Sequence, residues 1–306
     1  MNKIEFLNIK YSPKTIDECL ISNNNKKIIN NFIKNKSIIN TIFYGDIGVG
    51  KSSVINIIIN TLTDYNIKHL SLITITESTF NDLEKLYMYN KRINKKTLLV
   101  INDFHLLKPI IQNNFYVLLQ HHKDIIIFIE TNKLLDINKN IQNICNILMF
   151  NVINKNTYSQ YINDICTKEK LIISDDVINQ LYISSNGDIR NTLIQLTALS
   201  KCNNNITIEL YESMFSIPSS ISINKLIDAI LEVDLDKVLI YCDELIQNRF
   251  TCEEILLKMF DTIFYDNIDE SDKHLLLEQI GKQLYDVNKN NSKDLKQYIK
   301  EIIDLF

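Results

Sequence analysis

Gly45-Asp46-Ile47-Gly48-Val49-Gly50-Lys51-Ser52 is the stretch on which the reading of this chain turns. It fits the pattern G-x-x-x-x-G-K-[ST], follows the β-branched run Thr41–Tyr44 and precedes the helical pattern Ser53–Leu62, the strand–loop–helix context the pattern requires. The chain holds only five glycines in 306 residues, and three of them fall within these eight positions. Glycines let successive backbone N–H groups turn inward around phosphate oxygens, and the helix start adds its positive dipole end. The expected ligand is therefore a nucleoside triphosphate. Gly45, Asp46, Ile47, Gly48, Val49, Gly50, Lys51, Ser52 and Ser53 surround it, with Lys51 on the β- and γ-phosphates and Ser52 on magnesium.

Working outward, residues 41–44, 69–74, 97–102, 124–130 and 146–151 are short apolar runs separated by segments long enough for crossover helices. This predicts a parallel sheet buried on both faces. Beyond residue 151 the strand pattern stops and helical spacing takes over, with Thr157 and Gln160 as an expected capping box and Ile217–Ser220 as an expected linker. The expected fold class is α/β, with an α/β nucleotide-binding domain over 1–151, a small helical lid over 152–217 and an all-α domain over 218–306.

The run Leu98-Leu-Val-Ile-Asn102-Asp103 supplies a second polar strand end, where magnesium chemistry calls for an Asp-Glu pair. Here the metal-side position is the neutral Asn102. The water-activating position is the shorter Asp103, able to hold magnesium through water or to act as base. A carboxylate displaced by about 1 Å can cost roughly a hundredfold in rate.

Composition narrows the class. With 45% hydrophobic residues and a net charge of −4 the chain is expected to be folded, and it has no run of 18 apolar residues to cross a membrane. The start has no secretory pattern, and six cysteines without a CxxC pair predict reduced, intracellular thiols. Charge is uneven: +6 over 1–150, −2 over 151–218 and −8 over 219–306, which places any polyanion nearer the first part.

With these motifs in place, the chain resembles the small subunits of the replication factor C type of sliding-clamp loader, in the AAA+ family. The likeness begins at Lys10-Tyr11-Ser-Pro-Lys-Thr-Ile-Asp-Glu18 and runs through the phosphate loop and Asn102-Asp103. It continues through Gln112-Asn113, Glu130-Thr-Asn132 and Ser185-Asn-Gly-Asp-Ile-Arg190, and reaches a helical collar over the last 88 residues. The resemblance implies an AAA+ P-loop NTPase domain with a lid and an oligomerisation collar. It implies Tyr11 at the nucleotide, Asn132 as the sensor after the fourth strand and Arg190 as the lid sensor. It further implies ATP and Mg as ligands, and other clamp-loader subunits, a sliding clamp and primer–template DNA as partners, at a nuclear or viral site of replication. Arg190 also stands on its own: one of three arginines, it opens a helix from which a guanidinium can reach a γ-phosphate. The alternative for it is a surface arginine paired with Asp188.

The departures are as informative. Ile144 stands where the family carries the arginine that reaches into the neighbouring subunit's ATP, a group worth roughly 10³–10⁵ in rate. No arginine occurs between Arg92 and Arg190; Lys139 or Lys155 can offer a point charge but no fork. Tyr116, Val117 and Ser12 replace arginines as well, leaving Lys108 as a DNA-contact candidate. Three functions remain open: an ATP-hydrolysing clamp-loader subunit, a nucleotide-binding but non-hydrolysing subunit of the same assembly, and another AAA+ ATPase acting on DNA.

Overall fold

The computed structural model describes residues 6–35, 37–72, 75–265, 269–289 and 294–304. They form two compact units, residues 1–204 and 205–306.

The first unit is built on a sheet of β1 (Thr41–Gly45), β2 (Tyr65–Leu70), β3 (Lys96–Ile101), β4 (Ile125–Thr131) and β5 (Asn146–Phe150). Its order is β2-β3-β4-β1-β5, and every pairing is parallel. Period-2 alternation sorts the side chains onto two faces. Leu98, Val100, Phe43 and Phe128 pack on one side with Ile29, Phe32, Val54 and Ile58 of α2 (Asn23–Asn35) and α3 (Lys51–Thr61). On the other side Leu99, Ile101, Ile127 and Ile129 meet α4 (Glu77–Arg92), α5 (Pro109–His121) and α6 (Lys139–Ile144). The inner strands β1, β3 and β4 are thus covered by helices on both faces, which is why they read as unbroken apolar runs.

The second strand differs from its expectation. The apolar run at 69–74 suggested a strand there, but pairing with β3 is made by Tyr65–Leu70, and Ile73 and Thr74 lie outside the described residues. An edge strand pairs on one side only and tolerates polar residues such as Lys68 and His69, so hydrophobicity is a poor guide to it. Two turns at the carboxyl ends of β3 and β4 are tied together by the buried Gln112. Its Nε2 donates to the carbonyls of Leu107 (3.0 Å) and Asp136 (3.1 Å), and its Oε1 accepts from the Asn138 amide (2.8 Å).

Three further helices complete this unit: α7 (Lys155–Glu169), α8 (Asp175–Ser185) and α9 (Ile189–Cys202). The α7 start differs from the expected capping box: Asn154 is the cap, its side chain accepting from the Thr157 amide at 2.8 Å. The short α1 (Leu7–Lys10) packs on α9, the Leu7 amide donating to Thr197 Oγ1 at 3.1 Å.

The second unit contains α10 (Ile208–Met214), α11 (Ser220–Leu231), α12 (Leu235–Gln247), α13 (Cys252–Tyr265), α14 (Glu270–Asn288) and α15 (Leu295–Ile303). Leu226, Ile230, Leu245, Met259, Ile280 and Ile302 fill its core. Within it the Ile217–Ser220 stretch is closed rather than slack. Glu212 Oε1 accepts from both the amide (2.9 Å) and the hydroxyl (2.6 Å) of Ser220, and Lys258 Nζ stands 3.8 Å from the same oxygen, both charged side chains only 7% exposed. No helix among the described residues is long and apolar enough to cross a membrane.

Candidate functional site

Every parallel strand ends on the same side of the sheet, and the loop after β1, between β4 and β5, lies at the carboxyl ends of the strands, the place where open α/β sheets bind ligands. Val49 is buried and anchors this loop, while Ile47 is exposed. Gly48 sits at φ +77°, and a Cβ there would strike the Asp188 carboxylate, so only glycine allows the loop to lie this close to the start of α9. Gly50 caps α3 with φ +92°, which places the Lys51 side chain on the helix's first residue.

Lys51 is 5% exposed, and its ammonium donates to the carbonyls of Gly45 (2.9 Å) and Asp46 (2.6 Å). Burial pushes its pKa below the usual lysine value; Glu130, Asp103 and Asp46 oppose that shift, and Arg190 adds to it. The cation is therefore held in a dry pit, ready for a larger negative charge.

Two clefts open from this loop. The first, about 270 Å³, is polar and is lined by Gly48, Gly50, Lys51, Ser52, Asn102, Asp103, Glu130, Asn132 and Arg190. Asp103 adopts a left-handed conformation (φ +52°) after β3 and, with Asn102, is exposed at the rim. A left-handed aspartate is tolerated but uncommon, and such conformations gather at functional sites. Asn132 Oδ1 is buried and finds no hydrogen-bond partner among the described residues. Arg190 is the second residue of α9, whose cap Asp188 accepts from the Asn191 amide at 3.1 Å. As for the alternative of a surface arginine paired with Asp188, Arg190 is exposed and lines the polar cleft, while the Asp188 carboxylate caps the helix and abuts Gly48.

The second cleft, also about 270 Å³, adjoins the first through Gly48, Gly50, Ser52 and Arg190 and is more apolar. It is walled by Tyr11, Ile21, Val49, Ser53, Ile153 and Leu193. Tyr11 Oη donates to Glu169 at 2.5 Å and Lys10 Nζ pairs with the same carboxylate at 2.8 Å, so the opening segment is fastened to α7. Burial, then the hydrogen bond to Glu169, pushes the Tyr11 phenol up to about 12. Its hydroxyl is thus engaged with Glu169, leaving the ring to form cleft wall. Asn8 Oδ1 is buried there without a partner among the described residues, an acceptor suited to the exocyclic amine of a base.

The clefts together fit a nucleotide. The polar one offers glycine-loop amides, a buried cation, the Ser52 hydroxyl and carboxylates, the donor set that a phosphate–magnesium pair takes; the other offers walls and an amide for a base.

Other expected positions lie elsewhere. Ile144 is half-buried against the core beside α5 and α6, Tyr116 likewise, and Lys108 is exposed at the start of α5. His105 packs locally, its Nδ1 3.2 Å from Thr131 Oγ1.

Sequence reasoning missed Glu130 as a site residue. Ser52 Oγ donates to both of its carboxylate oxygens at 2.9 Å, and Lys51 Nζ is 3.9 Å away. The available signal was an acidic residue closing an apolar strand in a chain whose metal-side position, Asn102, carries no charge.

Comparison with known proteins shows what the chain as a whole is similar to. A family model described as a protein of unknown function (DUF815) matches residues 15–108. The chain is 26% identical over 246 residues to a replication factor C small subunit of Acanthamoeba polyphaga mimivirus, covering 78% of this chain and 76% of that protein. It is 22% identical over 241 residues to replication factor C subunit 5 of Dictyostelium discoideum, with coverage of 74% and 69%. Among solved structures, the RuvB Holliday junction branch migration motor of Thermotoga maritima superposes with a TM-score of 0.54 at 16% identity, covering 72% of this chain and 79% of that one. The fold is that of an AAA+ P-loop NTPase domain followed by helices.

Proposed function

We propose that this chain is an ATP-binding subunit of a hetero-oligomeric clamp loader, acting with sibling subunits to open a sliding clamp and place it on primer–template DNA. The observation that carries the reading is the convergence of Lys51, Asn132 and Arg190 on one cleft, from three separate elements. The similarity to replication factor C subunits supplies the assembly. In this reading residues 152–217 act as lid and 218–306 as collar.

ATP is the substrate. Amides of residues 48–52 cradle its phosphates, and Lys51 turns from the carbonyls of Gly45 and Asp46 toward the β- and γ-phosphates. Asn132, whose oxygen lacks a partner among the described residues, orients the attacking water, and Asp103 takes its proton. Ser52 would hold magnesium, which would supply neutralisation of phosphate charge. Arg190 contacts the terminal phosphate from α9, so nucleotide identity is felt by the lid.

Arg190→Ala is expected to weaken ATP binding by about 10- to 100-fold, the worth of a charge-assisted hydrogen bond of roughly 1.5–3 kcal/mol, while ADP affinity stays within about threefold. Titration calorimetry with both nucleotides checks this; equal losses for ATP and ADP would remove Arg190 from the γ-phosphate.

A second reading, binding without hydrolysis, is favoured by Asn102, by the short and left-handed Asp103 and by Ile144, an uncharged side chain half-buried against the core where the resemblance calls for an arginine. Turnover measured on the assembled complex with clamp and primed DNA separates the two. Stimulated hydrolysis that disappears with Lys51→Ala in this subunit favours the first; nucleotide retained without turnover favours the second.

A further inference from the structure

We propose that Glu130, at the end of β4, has taken over the metal-side carboxylate position that Asn102 leaves uncharged at the end of β3. The inference rests on the nucleotide-binding reading and adds the residue through which magnesium is sensed.

Magnesium at a P-loop is held by the loop's Ser or Thr together with a carboxylate from a neighbouring strand end. It favours anionic oxygen, and an amide at position 102 is a poor substitute. β3 and β4 pair in parallel with Ile101 opposite Ile129, so the next residues are Asn102, just past the end of β3, and Glu130, which continues β4 beside it. Moving the carboxylate one strand over keeps it at the same height in the cleft. That strand also adjoins β1, with Phe43 opposite Glu130, which brings the side chain under the phosphate loop.

The contacts of Glu130 match the task. Both carboxylate oxygens lie 2.9 Å from Ser52 Oγ, and the side chain is 13% exposed within the polar cleft. Two neighbouring oxygen ligands around an octahedral magnesium with bonds of ~2.0–2.1 Å stand at about that separation. A purely structural role, neutralising Lys51, explains the arrangement less well. Lys51 is already satisfied by two carbonyls at 2.9 and 2.6 Å, and the carboxylate stands 3.9 Å from it while touching Ser52 closely.

The test uses the full chain and a fluorescent, slowly hydrolysed ATP analogue, titrated in chelator and in saturating Mg²⁺, with thermal melting as a check on folding. In the wild-type protein Mg²⁺ tightens binding. Glu130→Gln, an isosteric change, is expected to retain metal-free affinity within about threefold and lose the Mg²⁺ enhancement by about tenfold or more. Asn102→Ala is expected to leave the enhancement unchanged, and Asn102→Asp added to Glu130→Gln is expected to restore most of it. Electron spin resonance of bound Mn²⁺, weakened by Glu130→Gln alone, reports the same loss without turnover. An enhancement that survives Glu130→Gln, or one lost with Asn102→Ala, overturns the proposal while the nucleotide reading stands. Absence of analogue binding by the wild-type protein under both conditions overturns the two together.

Discussion

Lys51→Ala is expected to reduce ATP affinity by about 30- to 5,000-fold, equivalent to roughly 2–5 kcal/mol, the range found when one partner of a buried, hydrogen-bonded charge pair is truncated. The magnitude follows from where the ammonium sits. At 5% exposure it is already desolvated, and its pKa is already lowered by burial, so it approaches a phosphate without first shedding water. Loss of the cation also leaves the Glu130 carboxylate facing the incoming phosphates without a neutralising neighbour. Lys51→Arg is expected to rescue little, because a planar fork does not fit a pit shaped by two carbonyls. Calorimetry gives the affinity directly. Thermal melting gives an independent reading, since nucleotide raises the wild-type midpoint by mass action and should leave the variant's unmoved. A variant that binds within fivefold of wild type would remove Lys51 from the phosphates.

Glu212→Ala is expected to destabilise the second unit by about 3–5 kcal/mol, the cost of leaving a buried charge without its partner. Glu212 performs two tasks with one oxygen: it satisfies the first turn of α11 through Ser220 and faces the Lys258 ammonium, whose pKa burial lowers. Asp261, on the same helix as Lys258, offers partial compensation and places the effect toward the lower end. The double variant Glu212→Gln, Lys258→Met is expected to recover most of the loss, since a glutamine still accepts from Ser220 and no charge remains buried. Chemical denaturation followed by hydrogen exchange at α11 and α13 measures both; a single-variant loss below 1 kcal/mol would mean the pair is inert.

Much of the architecture was legible because its code is local. Leu98–Ile101 and Ile125–Ile129 are continuous apolar runs, and only strands covered on both faces read that way. The phosphate loop announced itself through clustered glycines in a chain that has few. Tyr65–Leu70 was obscured because an edge strand needs hydrogen bonds from one neighbour but little hydrophobicity. Asn154 was passed over for Thr157, three residues on, since both are good caps and periodicity does not fix the first turn. Asn132 and Arg190 were traceable through motifs, and the structure brings both to the polar cleft. Glu130 was harder to see for a different reason. An acidic residue closing an apolar strand hints at it, but its role depends on which strand lies beside β4 and in what register, which the linear sequence does not carry.

The contact between Gly48 and Asp188 bears on how this gene can drift. A saturation scan should find position 48 closed to every replacement, alanine included, because one methyl group both collides with the cap of α9 and forbids the local backbone. Gly281, midway along α14 with open space around it, should accept alanine freely and even gain about 0.5–1 kcal/mol. The two codons, alike on paper, would sit at opposite extremes of any fitness map.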